Sequence, residues 1–304
     1  MANLFWKTKT STKSLLETPF KTEEEFEKTI FGTSELLEDV YLIKRQIRGG
    51  NKSGIPDIVG LDSDGNVCII EMKNVTVDAS IIPQVLQYAI WAETNPDSIK
   101  SLWLQSENKP DNLTIPWDNL QVRILIIAPA ILRSTLLAVV KITYQVDLIE
   151  VKRWVEGDNQ LLLIDKLEQD VKSRVKPTSG LQTYDETFYK QQYNKTSAEH
   201  FLKYVKEVEQ LIEQRGWLLE TKFNKHYCGF KVGIFNVFGI QWMGSKTFAF
   251  FFKLTEKEAR QVKVEMTKYE NQWKQAVYYI EPGMTKTSNF AQLFELAYKK
   301  RTGD

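Results

Sequence analysis

The sequence predicts an α/β protein of two parts, a mixed-sheet domain followed by a smaller α+β domain. Three observations carry this expectation. The 304 residues are enough for two domains that each bury a core of their own. The first half reads in the order helix, three strands, helix, strand, helix and strand, which asks for a sheet with both parallel and antiparallel neighbours. After a polar stretch the second half changes character, to one long amphipathic helix and then short aromatic-rich runs.

"KTEEEFEKTIF" opens the first helix: Thr22 and Glu25 have capping-box spacing, and Phe26 with Ile30 makes a short apolar stripe. "DVYLIKRQIR", residues 39–48, alternates like a strand and runs into Gly49-Gly50. "IPDIVGL" and "VCIIEMK" are two further strands joined by "DSDGN", whose Asp-Gly and Gly-Asn steps are turn signals. "DASIIPQVLQYAIWAE" has helical periodicity, with Pro83 tolerable if the helix starts a residue or two before it. "VRILIIAP", residues 122–129, reads as a strand buried on both faces, "ILRSTLLAVVKI" as a helix and "QVDLIEVKRWV" as a strand.

The predicted domain covers residues 1–165. Residues 166–195, with Pro177, Gly180 and no periodicity, read as a linker. In 196–304, "SAEHFLKYVKEVEQLIEQRGW" is an amphipathic helix, "KVGIFNVFGIQWMG" and "KTFAFFFKL" are strands of a small sheet, and "SNFAQLFELAYKKR" is a closing helix. This sheet region mixes lysines with Tyr227, Phe230, Phe235, Phe238 and Trp242. Such a mixture suits base stacking, but alternating aromatics on strands more often form a core.

Composition excludes several classes. No run of about 18 apolar residues is present, so no membrane span is expected, and the N-terminus lacks a secretory pattern, which makes cytoplasm the expectation. Cys68, Cys228, His200 and His226 have no spacing that builds a zinc site or a disulfide framework. With so few histidines, a Ser/His or Cys/His nucleophile is disfavoured, and His226 reads as a packed core residue. The net charge of +1 hides an asymmetry: residues 1–150 carry 15 basic against 20 acidic side chains, residues 151–304 carry 25 against 19. A basic second half is compatible with a polyanionic partner. No G-x-x-x-x-G-K-[ST] occurs, so no ATPase is expected in this chain.

The chemistry concentrates in "GIPDIVGLDSDGNVCIIEMK", residues 54–73. If the turn is centred on Asp64, paired positions sum to 128 and Asp57 lies opposite Glu71, with both carboxylates on one face. Lys73, two residues on from Glu71, shares that face while Cys68, Ile70 and Met72 point the other way. Two acids this close repel unless a cation neutralises them, and hard oxygen donors suit Mg²⁺ or Mn²⁺. Charged residues also decorate solvated strand faces, so the pattern alone leaves both readings open.

Pro56-Asp57 followed by Glu71-Met72-Lys73 has the form of the PD-(D/E)XK signature, and the segment resembles the PD-(D/E)XK nuclease superfamily, within it the RecB-type and NucS-like branch. In that branch a helix bearing Q-x-x-x-Y follows the hairpin, and here Gln84 and Tyr88 occupy that spacing. The likeness spans roughly residues 20–130. It implies a restriction-endonuclease-like αβββαβ core and a metal-dependent deoxyribonuclease, an endonuclease by expectation. It further implies Glu27, Asp57, Glu71 and the Met72 carbonyl as metal ligands, with Glu23 or Glu24 as alternatives to Glu27. Lys73 becomes the catalytic lysine, with Gln84 and Tyr88 as supporting contacts. Arg48 and Lys52, in the basic loop "RGGNKSG", are candidate phosphate contacts beside the plainer reading of a solvent loop. The implied partner is DNA, with RNA left open, and a symmetric dimer would be the simplest way to nick both strands of a duplex. A non-catalytic nucleic-acid-binding or assembly protein on the same scaffold is the rival. Residues 196–304 loosely resemble an uncharacterised α+β domain found behind such nucleases.

Overall fold

A computed structural model describes residues 4–7, 9, 12–33, 36–37, 39–45, 56, 58–107, 109–110, 113–167 and 184–303. These fall into two compact units, the first within Met1–Asp62, Asn66–Ser106 and Pro116–Gly180, the second within Ser63–Gly65, Glu107–Ile115 and Leu181–Asp304.

The first unit opens with a small antiparallel hairpin, β1 (Leu4–Lys7) and β2 (Thr12–Leu15). Then follow α1 (Glu23–Gly32), β3 (Val40–Arg45), β4 (Ile58–Asp62), β5 (Val67–Met72), α2 (Ile82–Thr94) and α3 (Pro96–Gln105). The unit continues with β6 (Val122–Ala128), α4 (Arg133–Val139), β7 (Gln145–Glu156) and β8 (Asn159–Lys166). Strands β3 to β8 form one six-stranded sheet in sequence order; β5–β6 and β6–β7 are parallel and the remaining pairs antiparallel, so the sheet is mixed.

Local chemistry explains the elements that position the site. Thr22 caps α1 by accepting from the Glu25 backbone N–H at 3.0 Å, and three acids in the first turn suit the positive end of the helix dipole. The capping box does not close on itself: the Glu25 carboxylate accepts from the N–H of Lys21 at 2.7 Å, one residue before the cap. The β4–β5 turn has Gly65 at φ +81°, a conformation that favours glycine, and Asn66 donates back to Asp62. The ladder pairs Ile58 with Ile70, Val59 with Ile69 and Gly60 with Cys68, the expected register. Pro83 sits in the first turn of α2, where its missing N–H costs nothing, after a 3-10 turn over Ala79–Ile81.

One face of the sheet packs on α1: Phe26 and Ile30 meet Ile58, Ile70, Met72, Leu125, Ile127, Ile149 and Val151 in a continuous core. The helix α2 packs on β5 and β6 and buries Val85, Tyr88, Ala89 and Ala92.

The second unit contains α5 (Glu186–Gln192), α6 (Lys195–Arg215), β9 (Glu220–Phe223), β10 (Tyr227–Val232), β11 (Phe235–Trp242), β12 (Phe248–Phe252), α7 (Glu256–Ala259), β13 (Lys268–Glu270), β14 (Gln275–Ile280) and α8 (Ala291–Thr302). Its six strands form an antiparallel sheet in the order β13-β14-β12-β11-β10-β9. Residues 166–195 were expected without periodicity, yet α5 forms inside them, capped by Asp185 and burying Phe188 and Tyr189. Phe230 and Phe238 are fully buried and Trp242 stacks on Phe201, so these aromatics are core and not an open stacking surface. His226 is half-buried and outside the core expected for it; burial, aided by Lys225, lowers its pKa to about 4. Cys68 and Cys228 are both buried free thiols. Among the described residues no helix is long and apolar enough to cross a membrane.

Candidate active site

Glu71 is the last but one residue of β5, and its neighbours Ile70 and Met72 enter the core beneath α1. Strand alternation therefore turns Glu71 to the opposite face, towards α2. Its side chain is 1% exposed. Lys73, two residues on, returns to that face, and its Nζ lies 2.7 Å from Glu71 Oε1. The same oxygen accepts from Gln84 Nε2 at 3.1 Å, and Gln84 Nε2 also donates to the Tyr88 hydroxyl at 2.7 Å. A buried carboxylate is costly unless ion-paired and hydrogen-bonded. Lys73 and Gln84 supply both requirements from two different elements.

Gln84 reaches the strand because the loops after β5 and β6 are stitched together above its carboxyl end. Val77 N–H donates to the Ala130 carbonyl at 2.9 Å and accepts, through its own carbonyl, from Leu132 N–H at 2.8 Å. Asp78 then caps the 3-10 turn by accepting from Ser80 N–H at 2.8 Å, and hydrogen bonding to the Ser80 side chain, then to its N–H, lowers the Asp78 pKa. The first turn of α2 follows directly, with Gln84 and Tyr88 four residues apart on one helical face.

The amino end of α1 arrives at the same place. Asn74, just past Lys73, donates to the Phe20 carbonyl at 3.0 Å. Arg153, buried on β7, donates to the carbonyls of Thr18 and Pro19 and to Glu25 and lies over the Phe20 ring. Arg153, with the Lys21 N–H, holds the Glu25 carboxyl below its ordinary range. So held, Glu23 Oε1 comes within 3.8 Å of Lys73 Nζ. Glu27, one turn further along, pairs with Arg45 of β3 at 3.3 Å instead.

Of the residues expected from sequence, the structure thus gathers Glu71, Lys73, Gln84 and Tyr88, and brings Glu23 to them with Glu27 a turn away. Met72 is the strand residue between Glu71 and Lys73, its side chain in the core. Asp57, Arg48 and Lys52 lie outside the described residues. Glu150 and Lys152 were not anticipated. Glu150 pairs with Ala128 in the ladder and so lies on the Glu71 face near the same end, where it accepts from Ile131 N–H at 2.7 Å and pairs with Lys152 at 3.2 Å. Their Glu-x-Lys spacing repeats that of Glu71 and Lys73, a signal present in the sequence.

Among the described residues no group of three or more Asp, Glu, His or Cys gathers to hold a metal ion. The acids that do converge on Lys73, Glu71 and Glu23, are hard oxygen donors, a set that fits Mg²⁺ or Mn²⁺ and not a soft-ligand metal.

No protein-family model matches the chain, and no curated protein does. Among solved structures, a repair endonuclease from Pyrococcus abyssi matches at 22% identity and a TM-score of 0.28, over 44% of this chain and 50% of that one. A structure of an EndoMS complex with double-stranded DNA matches at 21% identity and a TM-score of 0.28, over 42% of this chain and 44% of that one. The chain thus spans half or less of the length of these proteins.

Proposed function

We propose that residues 1–165 are the catalytic module of a metal-dependent nuclease of the PD-(D/E)XK type, hydrolysing phosphodiester bonds in DNA. The observation that carries this reading is the buried Glu71, held between Lys73 and Gln84 at the carboxyl end of β5. A carboxylate that is 1% exposed and bonded at the end of a strand inside the sheet is a poor solvated decoration, which favours a functional reading of the strand pattern over the plainer one. The carboxyl ends of parallel strands are also where α/β sheets bind ligands.

In this reading Glu71, Asp57 and an acid of α1, Glu23 or Glu27, would hold Mg²⁺ or Mn²⁺ with the Met72 carbonyl, and such an ion would supply Lewis-acid stabilisation of phosphate charge and a more acidic water. Asp57 joins on the strength of the sequence, one position before the first described pair of a hairpin whose register sums to 128. Lys73 presents an ammonium to a phosphate oxygen or to the attacking water. Gln84 fixes the rotamer of Glu71, and Tyr88 fixes Gln84. The basic second half, 25 basic against 19 acidic side chains over residues 151–304, suits binding of a polyanion.

The test is cleavage of single-stranded, duplex and branched DNA and of RNA with Mg²⁺ or Mn²⁺, comparing wild type with Asp57→Ala, Lys73→Ala and Lys152→Ala. Loss of at least about a hundred-fold in the first two, the size expected for removing a group that stabilises the transition state, supports the reading. Loss in Lys152→Ala with Lys73→Ala active would move the chemistry to the Glu150 pair. Silence of the wild type on every substrate would favour the binding protein.

A further inference from the structure

We propose that the outward face of the β1–β2 hairpin is a binding surface for unpaired nucleic acid. This deepens the nuclease reading and rests on it. In the hairpin Phe5 pairs with Ser14 and Lys7 with Thr12, so these four side chains share one face. All four are exposed, Phe5 at 60%. The other face carries Leu15, which is buried, Lys13, whose Nζ meets Glu156 at 2.6 Å, and Trp6, which is 43% exposed, so Leu15 and Lys13 tie that face to the unit while Trp6 stays partly open. An aromatic ring beside an ammonium, opposite two small hydroxyl side chains, is the composition of a stacking platform: the ring takes a base, the lysine and hydroxyls take phosphates.

Charge decides between this occupant and a second protein. The outward face carries Lys7, and residues 1–16 contain no acidic side chain in a half of the chain that is otherwise acidic, while Lys13, on the other face, is paired with Glu156. A surface of one sign with an exposed ring complements a polyanion with exposed bases.

Position adds a second argument. Glu71 is level with Ile126 and through it with Leu148 of β7, and the hairpin is anchored further along β7, where Glu17 bridges Trp154 and Lys13 meets Glu156. Trp154 lies six residues beyond Leu148 in the direction in which β5 reaches Glu71 and Lys73, about 20 Å along the strand. At roughly 3.4 Å per nucleotide along a stacked strand, the length from the level of Glu71 to the hairpin's anchor corresponds to about six nucleotides, which points to DNA with a single-stranded or frayed segment.

The experiment measures binding of the full chain to a labelled oligothymidine and to a blunt duplex by fluorescence anisotropy in EDTA, over a range of salt, for wild type, Phe5→Ala, Phe5→Trp and Lys7→Ala. Phe5→Ala is expected to weaken single-strand binding about ten-fold and Phe5→Trp to preserve it. Lys7→Ala is expected to lower the slope of log affinity against log salt by about 0.7. Wild-type affinity and salt slope in all variants would overturn the proposal while leaving the nuclease reading intact. So would a variant that changes only the oligomeric state in sedimentation velocity, which would make the hairpin a contact between copies. Conversely, a wild type that binds the oligonucleotide through Phe5 but cuts nothing with Mg²⁺ or Mn²⁺ would retain the hairpin and remove the nuclease.

Discussion

The Gln84 amide donates to Glu71 and to Tyr88 at once, so truncating it removes the bond that fixes the buried carboxylate without touching the carboxylate itself. Groups that orient a metal ligand in this way commonly contribute 10- to 100-fold to affinity or rate. Gln84→Ala should therefore lower cleavage by about that factor and raise the Mg²⁺ concentration needed for half-maximal rate, with a loss of stability of about 1–3 kcal/mol because the buried Glu71 carboxylate loses a donor. Tyr88→Phe, which leaves the ring in the core and removes one acceptor from Gln84, should do the same more weakly. A metal titration of the cleavage rate for both variants checks this, and unchanged rates in Gln84→Ala would show that Lys73 alone holds Glu71. The identity of Glu71, Lys73, Gln84 and Tyr88 could be read from spacing, because a strand of period two and a helix of period 3.6 fix which side chains share a face. Which acid of α1 joins them could not. Glu23 and Glu27 share a helical face, and the packing of Phe26 and Ile30, the bond from Asn74 to Phe20 and the Arg153 contacts together bring Glu23 rather than Glu27 to Lys73.

Gly60 shows how tightly β4 is held between its neighbours. A Cβ there would lie 2.6 Å from Val40 Cγ1 and 2.9 Å from the Tyr41 carbonyl oxygen, where β3 shifts register between Leu42 and Lys44. The second contact is backbone and cannot rotate away. Gly60→Ala should destabilise the first unit by about 1–3 kcal/mol, the ordinary cost of overpacking, visible as a lower urea midpoint; no change would mean that β3 can move aside. Arg153 does comparable work for α1. Arg153→Met keeps much of the packing over Phe20 but leaves the Thr18 and Pro19 carbonyls without that donor. About 2–3 kcal/mol of lost stability is expected, and because the amino end of α1 loosens, cleavage should fall as well. The strand–turn–strand at residues 58–72 and the helix after it were legible because Asp-Gly turn chemistry and Pro83 mark their ends. Helix α3 was not, since Asn95-Pro96 reads as a stop yet restarts a helix at once. Strand β8 went unread although Gly157, at φ +58°, turns the chain between Glu156 and its partner Asn159. The β1–β2 hairpin has no such glycine and no apolar alternation, and its Ser/Thr/Lys composition gave no strand signal.

The sheet of the first unit carries ionised groups at both ends, and the end away from Glu71 is closed by a network that spans it. Arg123 of β6 meets Asp147 of β7 at 2.6 Å, Asp39 ahead of β3 at 3.5 Å and Asp62 of β4 at 3.7 Å, while Lys166 of β8 meets Asp147 at 2.6 Å. Burial pushes the Asp147 carboxyl up, but Arg123 and Lys166 outweigh it and bring the pKa down to about 2. Burial raises Asp62, with Arg123 and Asn66 opposing. The two acids therefore respond to pH in opposite senses. For Asp147 the folded state releases its proton more readily than the unfolded chain, so its stabilisation is complete above the ordinary carboxylate pKa of about 3.9 and is lost as pH falls towards about 2. For Asp62 the folded state holds the proton more tightly, so its contribution declines as pH rises through its titration. Because Asp62 and Asp147 share Arg123, comparing wild type with Asp147→Asn reads the Asp147 contribution together with the change it makes at Asp62. Urea unfolding at pH 6, 4 and 2.5 should find the variant less stable by about 2–3 kcal/mol at pH 6, a difference of nearly two pKa units at 1.36 kcal/mol each. The gap should hold down to pH 4 and shrink towards zero near pH 2. A gap that stayed constant with pH would mean that Asp147 stabilises the sheet through shape and hydrogen bonding and not through its charge.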